Sequence, residues 1–325
     1  MVNFLIESPE IVRNFLIYIQ AVKNKSKKTV EEYFLDLRTF FRYMKVRKEI
    51  VNFEVDFNDI NIKDIDLDFI ESISNIDVLE YMNYLIRMRN NDSHTRSRKL
   101  SSLKSFFKYL TIKVKLTKHD PVKEIDPPKL TKSLPRYMTL DESLKFLETI
   151  EKYGGSHKER DYCIATLFLN CGMRLSELVG INLSDIGADN SLVIMGKGAK
   201  ERILYLNDSC IKSLEKYKEV RGEAKDKDAL FLSRSKTRIS NKTIQYLMKK
   251  YFTLAGLSHK KLSTHKLRHT AATLMYQHGG VDIRALKDVL GHESISLTQI
   301  YTHTNPLSVK KALESNPLSH LKKND

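Results

Sequence analysis

The chain has 325 residues, of which 41% are hydrophobic, enough to fill ordinary cores and long enough for two domains. Its 55 Lys and Arg against 40 Asp and Glu leave a formal charge of +15, which favours a polyanionic partner, nucleic acid being the commonest. No run of about 18 apolar residues exists, so no helical membrane span is expected; the three cysteines lack paired spacing, which argues against a disulfide framework and for a cytoplasmic protein.

Residues 1–115 read as helices with one long connection. The start, MVNFLIESPEIVRNFLIYIQ, has the apolar rhythm of an amphipathic helix and no small-residue cleavage site. Ser26 or Thr29 can cap the next helix, whose Tyr33, Leu37, Phe40, Phe41 and Met44 form a core stripe. Lys25, Lys27 and Lys28 crowd its N-terminal end, where the helix dipole already favours anions, and are DNA-binding candidates. Residues 50–77 form an acidic stretch that should face away from a phosphate backbone. A helix follows from Asp77, and then another, for which Ser93 is a plausible cap. Leu100, Leu103, Phe106, Phe107 and Leu110 make the apolar side of the latter; Arg96, Arg98 and Lys99 give it a basic first half suited to a DNA groove, against the blander alternative of a solvated face.

Residues 116–138 hold Pro121, Pro127, Pro128 and Pro135 with interleaved lysines, and read as a linker. The second domain, 139–325, opens with a helix capped by Thr139 or Asp141. RDYCIATLFLNCG is a buried helix ended by Gly172, with Cys163 and Cys171 in the core, and RLSELVGI opens another. SLVIMGKGAKERILYL is the one clear strand signal. Val193, Ile194 and Met195 lead into a turn with Lys197 at its tip, and Ile203, Tyr205 and Leu206 return as a hairpin. Two charged helices come next; Lys242 and Gln245 on the second are further DNA-binding candidates. The fold class is mainly α, two-domain, with one small antiparallel sheet.

The segment from Thr264 to His303 concentrates His265, Arg268, His269, His292, Tyr301 and His303. The first three share a helical face. Gly279 and Gly280 stop that helix, Asp282 caps the next, and Gly291 ends it before His292. His265 and His269 have the spacing of a zinc pair, but the metalloprotease pattern needs Glu where Lys266 stands. A phosphate loop fails too: in the GKG at 196–198 the residue after the lysine is Gly198. Taken singly, each histidine reads as an ordinary helical residue. Together they read as an anion site with a nucleophile beside it.

GMRLSEL with Arg174, GKGAKER with Lys197, THKLRHTAAT with His265 and Arg268, LGHES with His292 and IYTH with Tyr301 follow one another in order. In this the chain resembles the tyrosine recombinases of the lambda-integrase type, most of all the Xer branch, over nearly its whole length. The first half is similar to the family's helical, SAM-like core-binding domain; the acidic stretch is longer than that pattern. The resemblance implies site-specific cutting and rejoining of DNA through a 3′-phosphotyrosine and a Holliday junction. It makes Tyr301 the nucleophile, Arg174 and Arg268 the clamp on the scissile phosphate, Lys197 the general acid, His265 the proton acceptor and His292 a phosphate donor. Glu177 orients the site from behind, or is a helix-surface acid. No metal or cofactor is implied, since arginines serve as the charge sink. The implied partners are double-stranded DNA with an inverted-repeat core site, and three more protomers, of this chain or of a second recombinase. A regulatory partner protein is a further candidate, and the tail around Val309, Ala312 and Leu313 is read as docking on a neighbour. Chromosome dimer resolution at the nucleoid is the expected role. The alternatives are a mobile-element integrase, a relaxing enzyme like the type IB topoisomerases, and an architectural DNA-binding protein.

Overall fold

The computed structural model describes residues 4–52, 54–129, 136–196 and 201–291. Lys197, His292, Tyr301, His303 and the tail lie outside them. The chain divides into two units, Met1–Ser133 and Leu134–Asp325. Among the described residues no helix is long and apolar enough to cross a membrane.

Among its described residues the first unit has only helices as regular elements: α1 (Phe4–Glu7), α2 (Glu10–Ala21), α3 (Lys27–Arg47), α4 (Leu67–Glu71), α5 (Asn75–Arg87) and α6 (Ser93–Lys108). The initial amphipathic stretch is two helices, because Pro9 lacks the N–H a continuing helix needs and starts α2 instead. Ser26 caps α3 through the Thr29 N–H, and Asp92, one residue before the expected Ser93, caps α6 through the Thr95 N–H. The apolar stripes are as the periodicity predicts. Leu37, Phe40, Phe41 and Met44 of α3 meet Leu100, Leu103, Phe106 and Phe107 of α6 in one buried core, with Tyr33 at its edge.

The acidic stretch is part of that core rather than an appendage. Ile62, Ile65, Ile70 and Ile73 are buried in it. Four of its acids are put to internal use: Asp64 pairs with Lys45, Asp66 caps α4, Glu71 accepts from the Thr117 hydroxyl and Asp77 pairs with Arg47. The first part of the stretch read as linker also packs here. Val122 and Ile125 enter the core, the His119 ring bonds to the Ile73 carbonyl, and Pro121 accepts from Asn75. Alternating prolines and lysines look unfit for packing, yet Val122 and Ile125 between them are both buried.

The second unit is built around α8 (Lys158–Cys171), an almost wholly buried helix packed by α7 (Leu140–Tyr153), α10 (Asp208–Arg221) and α12 (Thr264–Gln277). Thr139 caps α7 in a reciprocal box with Glu142. The buried Asp161 of α8 is fixed by Arg160 and by the hydroxyl of Tyr251 on α11 (Asn241–Leu254). Cys163, Cys171 and Cys210 are buried free thiols, with Cys171 and Cys210 3.9 Å apart. The described residues also form two short helices, α9 (Leu175–Gly180) and α13 (Ile283–Leu290). α13 starts at Asp282 as its cap and ends on left-handed Gly291.

The hairpin pairs β1 (Ser191–Met195) antiparallel with β2 (Glu201–Tyr205), Ile194 opposite Arg202. Its phase differs from the apolar reading of the return strand. Ile203 and Tyr205 are exposed, while Leu192, Ile194 and Leu204 face the core. Alternate residues share a face, so Arg202 lies on the inward side with Leu204.

Candidate active site

The site starts where α8 stops. Gly172 closes that helix in the left-handed conformation, and a Cβ there would come within 2.7 Å of the Leu290 side chain, so only glycine fits. Met173 is buried, and Arg174 is the extended N-cap residue of α9. Its backbone N–H donates to Glu177 Oε2 at 2.8 Å and its Nη1 to Oε1 at 2.8 Å. Glu177 is therefore a buried acid of the cluster and not a helix-surface residue; its side chain is 2% exposed. From β2, Arg202 donates through Nη1 to Oε1 at 3.0 Å and through Nη2 to Oε2 at 2.9 Å. From α12, Arg268 brings Nη1 to 4.0 Å from Oε2. Burial pushes the Glu177 carboxyl up, but the Arg202 fork and then the Arg174 N–H outweigh it and hold the group at about 2. One carboxylate thus gathers three guanidiniums.

The end of α13 gathers the same three. Arg202 Nε donates to the Val289 carbonyl at 3.2 Å, Arg268 Nη2 to that of Leu290, and Arg174 Nη2 to that of Gly291 at 3.1 Å. Arg268 Nη1 also donates to Gly172 O at 2.9 Å. Three successive carbonyls are left open at a helix C-terminus, where the dipole is negative, so cations converge on them. Arg268 is almost fully buried, whereas the Arg174 side chain is 38% exposed. The arrangement concentrates positive charge in a preorganised, partly dry setting, which is what an incoming phosphodiester requires.

His265 lies on α12 one turn before Arg268 and His269, and its Nε2 is 3.2 Å from that of His269, with the rings perpendicular. Burial, then the charges of Arg268, Lys266 and Arg174, push the His265 imidazole below its ordinary value, so it is neutral at pH 7 and can accept a proton.

The structure therefore brings together Arg174, Glu177, His265 and Arg268 of the residues read from sequence. It adds Arg202, which that reading missed. The available signal was strand parity, since an arginine at an inward position beside Leu204 must have a buried partner.

The DNA-binding candidates differ in setting. Lys25, Lys27 and Lys28 are exposed around the α3 cap, and Lys242 and Gln245 are exposed on α11. Arg96 is half-buried. Arg98 forks onto the buried Asp36 of α3, with Nη2 to Oδ1 at 2.9 Å, and Lys99 reaches the same carboxylate at 3.0 Å. Ser102 adds a hydroxyl at 2.8 Å. These two cations tie α6 to α3, which composition alone does not distinguish from a free basic face.

Comparison with known proteins agrees with this architecture. Residues 136–307 match the phage integrase family, and residues 12–113 match its N-terminal SAM-like domain. The chain is 49% identical over 313 residues to the tyrosine recombinase XerC of Caldanaerobacter subterraneus subsp. tengcongensis, covering 96% of this chain and 88% of that one. It is 32% identical to the tyrosine recombinase XerD of Rickettsia prowazekii, covering 95% and 97%. The XerH site-specific recombinase, solved bound to its difH substrate in a pre-cleavage complex, shares the fold with a TM-score of 0.68 at 22% identity, covering 94% of this chain and 84% of that one. With both domains matched and the arginine cluster in place, the chain belongs to the phage integrase family and is a tyrosine recombinase of the Xer type, an enzyme of site-specific DNA strand exchange.

Proposed function

We propose that this recombinase resolves chromosome dimers at an inverted-repeat core site, acting at the nucleoid as a tetramer on two duplexes. The observation that carries the proposal is the convergence of Arg174 and Arg268 on one carboxylate and one helix end, in a chain 49% identical to a XerC. XerC and XerD relatives also motivate a hetero-tetramer with a second recombinase; a tetramer of this chain alone, and a regulatory partner, are the other assemblies.

The chemistry follows from the side chains. A phenol with a pKa of about 10 is mostly protonated at pH 7, so ionising it costs about 4 kcal/mol unless a base or a positive field helps. In this mechanism the Tyr301 oxygen attacks the scissile phosphorus, and its proton goes to neutral His265. Charge building on the nonbridging oxygens meets Arg174 and Arg268, with His292 as a further donor. The bond to the 5′-oxygen breaks, and Lys197 supplies the proton that oxygen needs. The 3′-phosphotyrosine keeps the energy of the phosphodiester. A 5′-hydroxyl from the partner duplex then attacks it, Tyr301 leaves, and a Holliday junction forms midway. Lys25, Lys27, Lys28, Arg96, Arg98, Lys99, Lys242 and Gln245 hold the duplex backbone, Arg98 and Lys99 being oriented on α6 by Asp36.

Covalent capture on a library of nicked fragments from the source genome tests the reading. Adducts at one short inverted-repeat site in the chromosome support it. Adducts at the ends of a mobile element point to an integrase, and scattered adducts to a relaxing enzyme.

A further inference from the structure

Arg202 joins the carboxylate of Glu177 to the last turn of α13. Three of its five N–H groups are taken by the two oxygens of Glu177 and the Val289 carbonyl. Its side chain is 14% exposed, against 38% for Arg174. It also leaves no room at the end of α13, because a Cβ on Gly291 would meet its Nη1 at 3.2 Å and its Cδ at 3.3 Å.

We propose that Arg202 is a positioning residue for strand cleavage: by occupying both oxygens of Glu177 and the last turn of α13, it keeps Arg174 and Arg268 turned toward the scissile phosphate. The inference rests on the reading of those two arginines as the phosphate clamp. Arg202 and Arg174 compete for the Glu177 carboxylate. A carboxylate prefers a two-pronged guanidinium. With Arg202 on both oxygens, the Arg174 side chain reaches Oε1 alone and sends its other nitrogen to Gly291. Without Arg202, Oε2 keeps the Arg174 N–H but has a second lone pair to offer, so Arg174 can close its fork on Glu177. That motion withdraws it from substrate. The same loss frees the Val289 carbonyl and loosens the turn that carries the Arg268 acceptor. A lysine cannot substitute, since a point charge does not span two oxygens.

The test compares single-turnover adduct formation on two nicked duplexes, one with an ordinary scissile phosphodiester and one with a methylphosphonate there. The methylphosphonate lacks the nonbridging charge, so it depends less on the clamp. Arg202→Gln in the full chain is expected to slow cleavage of the phosphodiester about 10- to 100-fold, within the range for a displaced electrostatic donor, and of the methylphosphonate less than about 3-fold. Equal losses on both duplexes, or no loss on either, would overturn the proposal. Arg174→Gln is the control. If it shows the charge-selective loss and Arg202→Gln does not, the positioning role alone fails; if it does not, the clamp reading fails and this inference with it. Arg202→Lys guards against a variant that does not fold. It is expected to show the same selective loss, and wild-type rates in it would overturn the two-pronged argument.

Discussion

Arg202 on β2 closes both terminal nitrogens on the carboxylate of Glu177, at 3.0 and 2.9 Å, and so joins the hairpin that leads to Lys197 with the helix that Arg174 begins. Glu177 is buried and Arg202 is largely so. Removing one partner of such a pair leaves charge without compensation, at a cost of about 3–5 kcal/mol. Glu177→Gln is therefore expected to lower stability by that order in urea unfolding, with cleavage reduced as the three cations repel. Unchanged stability would contradict a buried, mutually dependent cluster.

The same carboxylate sets an acid limit. Its folded value of about 2 lies below its ordinary 4.5, so its contribution is fully present above pH 4.5 and is lost as pH falls toward 2. The depression corresponds to about 3 kcal/mol. Wild-type stability should fall more steeply between pH 4.5 and 3 than that of Glu177→Gln; parallel slopes in pH-dependent unfolding would count against it.

In the first unit, Asp36 is 2% exposed and holds Arg98, Lys99 and Ser102. Asp36→Asn should cost about 3 kcal/mol, since it removes the buried acceptor of Lys99, Ser102 and the half-exposed Arg98 where α3 packs on α6. Lys25→Ala and Lys27→Ala, at exposed positions, should leave stability unchanged and lower the slope of log affinity against log salt by about 0.9 for each phosphate no longer neutralised. The reverse pattern, with Asp36 silent in unfolding and Lys25 costly, would exchange their roles.

Much of this is legible in the sequence. The helices of both units, their core stripes and the order of the motif residues follow from periodicity, caps and glycines, because each is a local signal. Arg202 is not legible in that way. Its role depends on strand phase, and Ile203 and Tyr205 suggest the opposite face; they stay exposed because the inward register is taken by Arg202 and Leu204. Arg98 and Lys99 look like free basic groups until tertiary pairing brings the buried Asp36 to them. The span 116–125 looks unable to pack because it opens a proline- and lysine-rich stretch, while the bonds that hold it come from residues 46 positions away: Glu71 to Thr117, Ile73 to His119 and Asn75 to Pro121.

Gly172 offers a local test of the helix-end geometry. Its φ of +59° disfavours any side chain, and an added Cβ would displace Leu290, whose carbonyl accepts from Arg268. Gly172→Ala should cost about 1–3 kcal/mol in strain and slow cleavage more than it weakens DNA binding. Binding and cleavage falling together would place the damage elsewhere.

His265 carries a pH signature. Its imidazole titrates below the ordinary 6.5, through burial and then Arg268, so the neutral form prevails at pH 7 and is lost only as pH falls below that value. If His265 takes the phenol proton, the acid limb of single-turnover cleavage should fall below pH 6.5, and His265→Gln should abolish that limb while lowering the rate about 10²- to 10⁴-fold. An unchanged acid limb in the variant would assign the proton to another group.

The measurement closest to the central claim is covalent capture of the full chain on a nicked duplex carrying the core site, followed by denaturation and peptide mapping. Wild-type protein should carry DNA on the peptide containing Tyr301, and Tyr301→Phe should bind the same duplex and carry none. An adduct that survives in Tyr301→Phe, or one mapped to another residue, would contradict strand cleavage by the Tyr301 phenol.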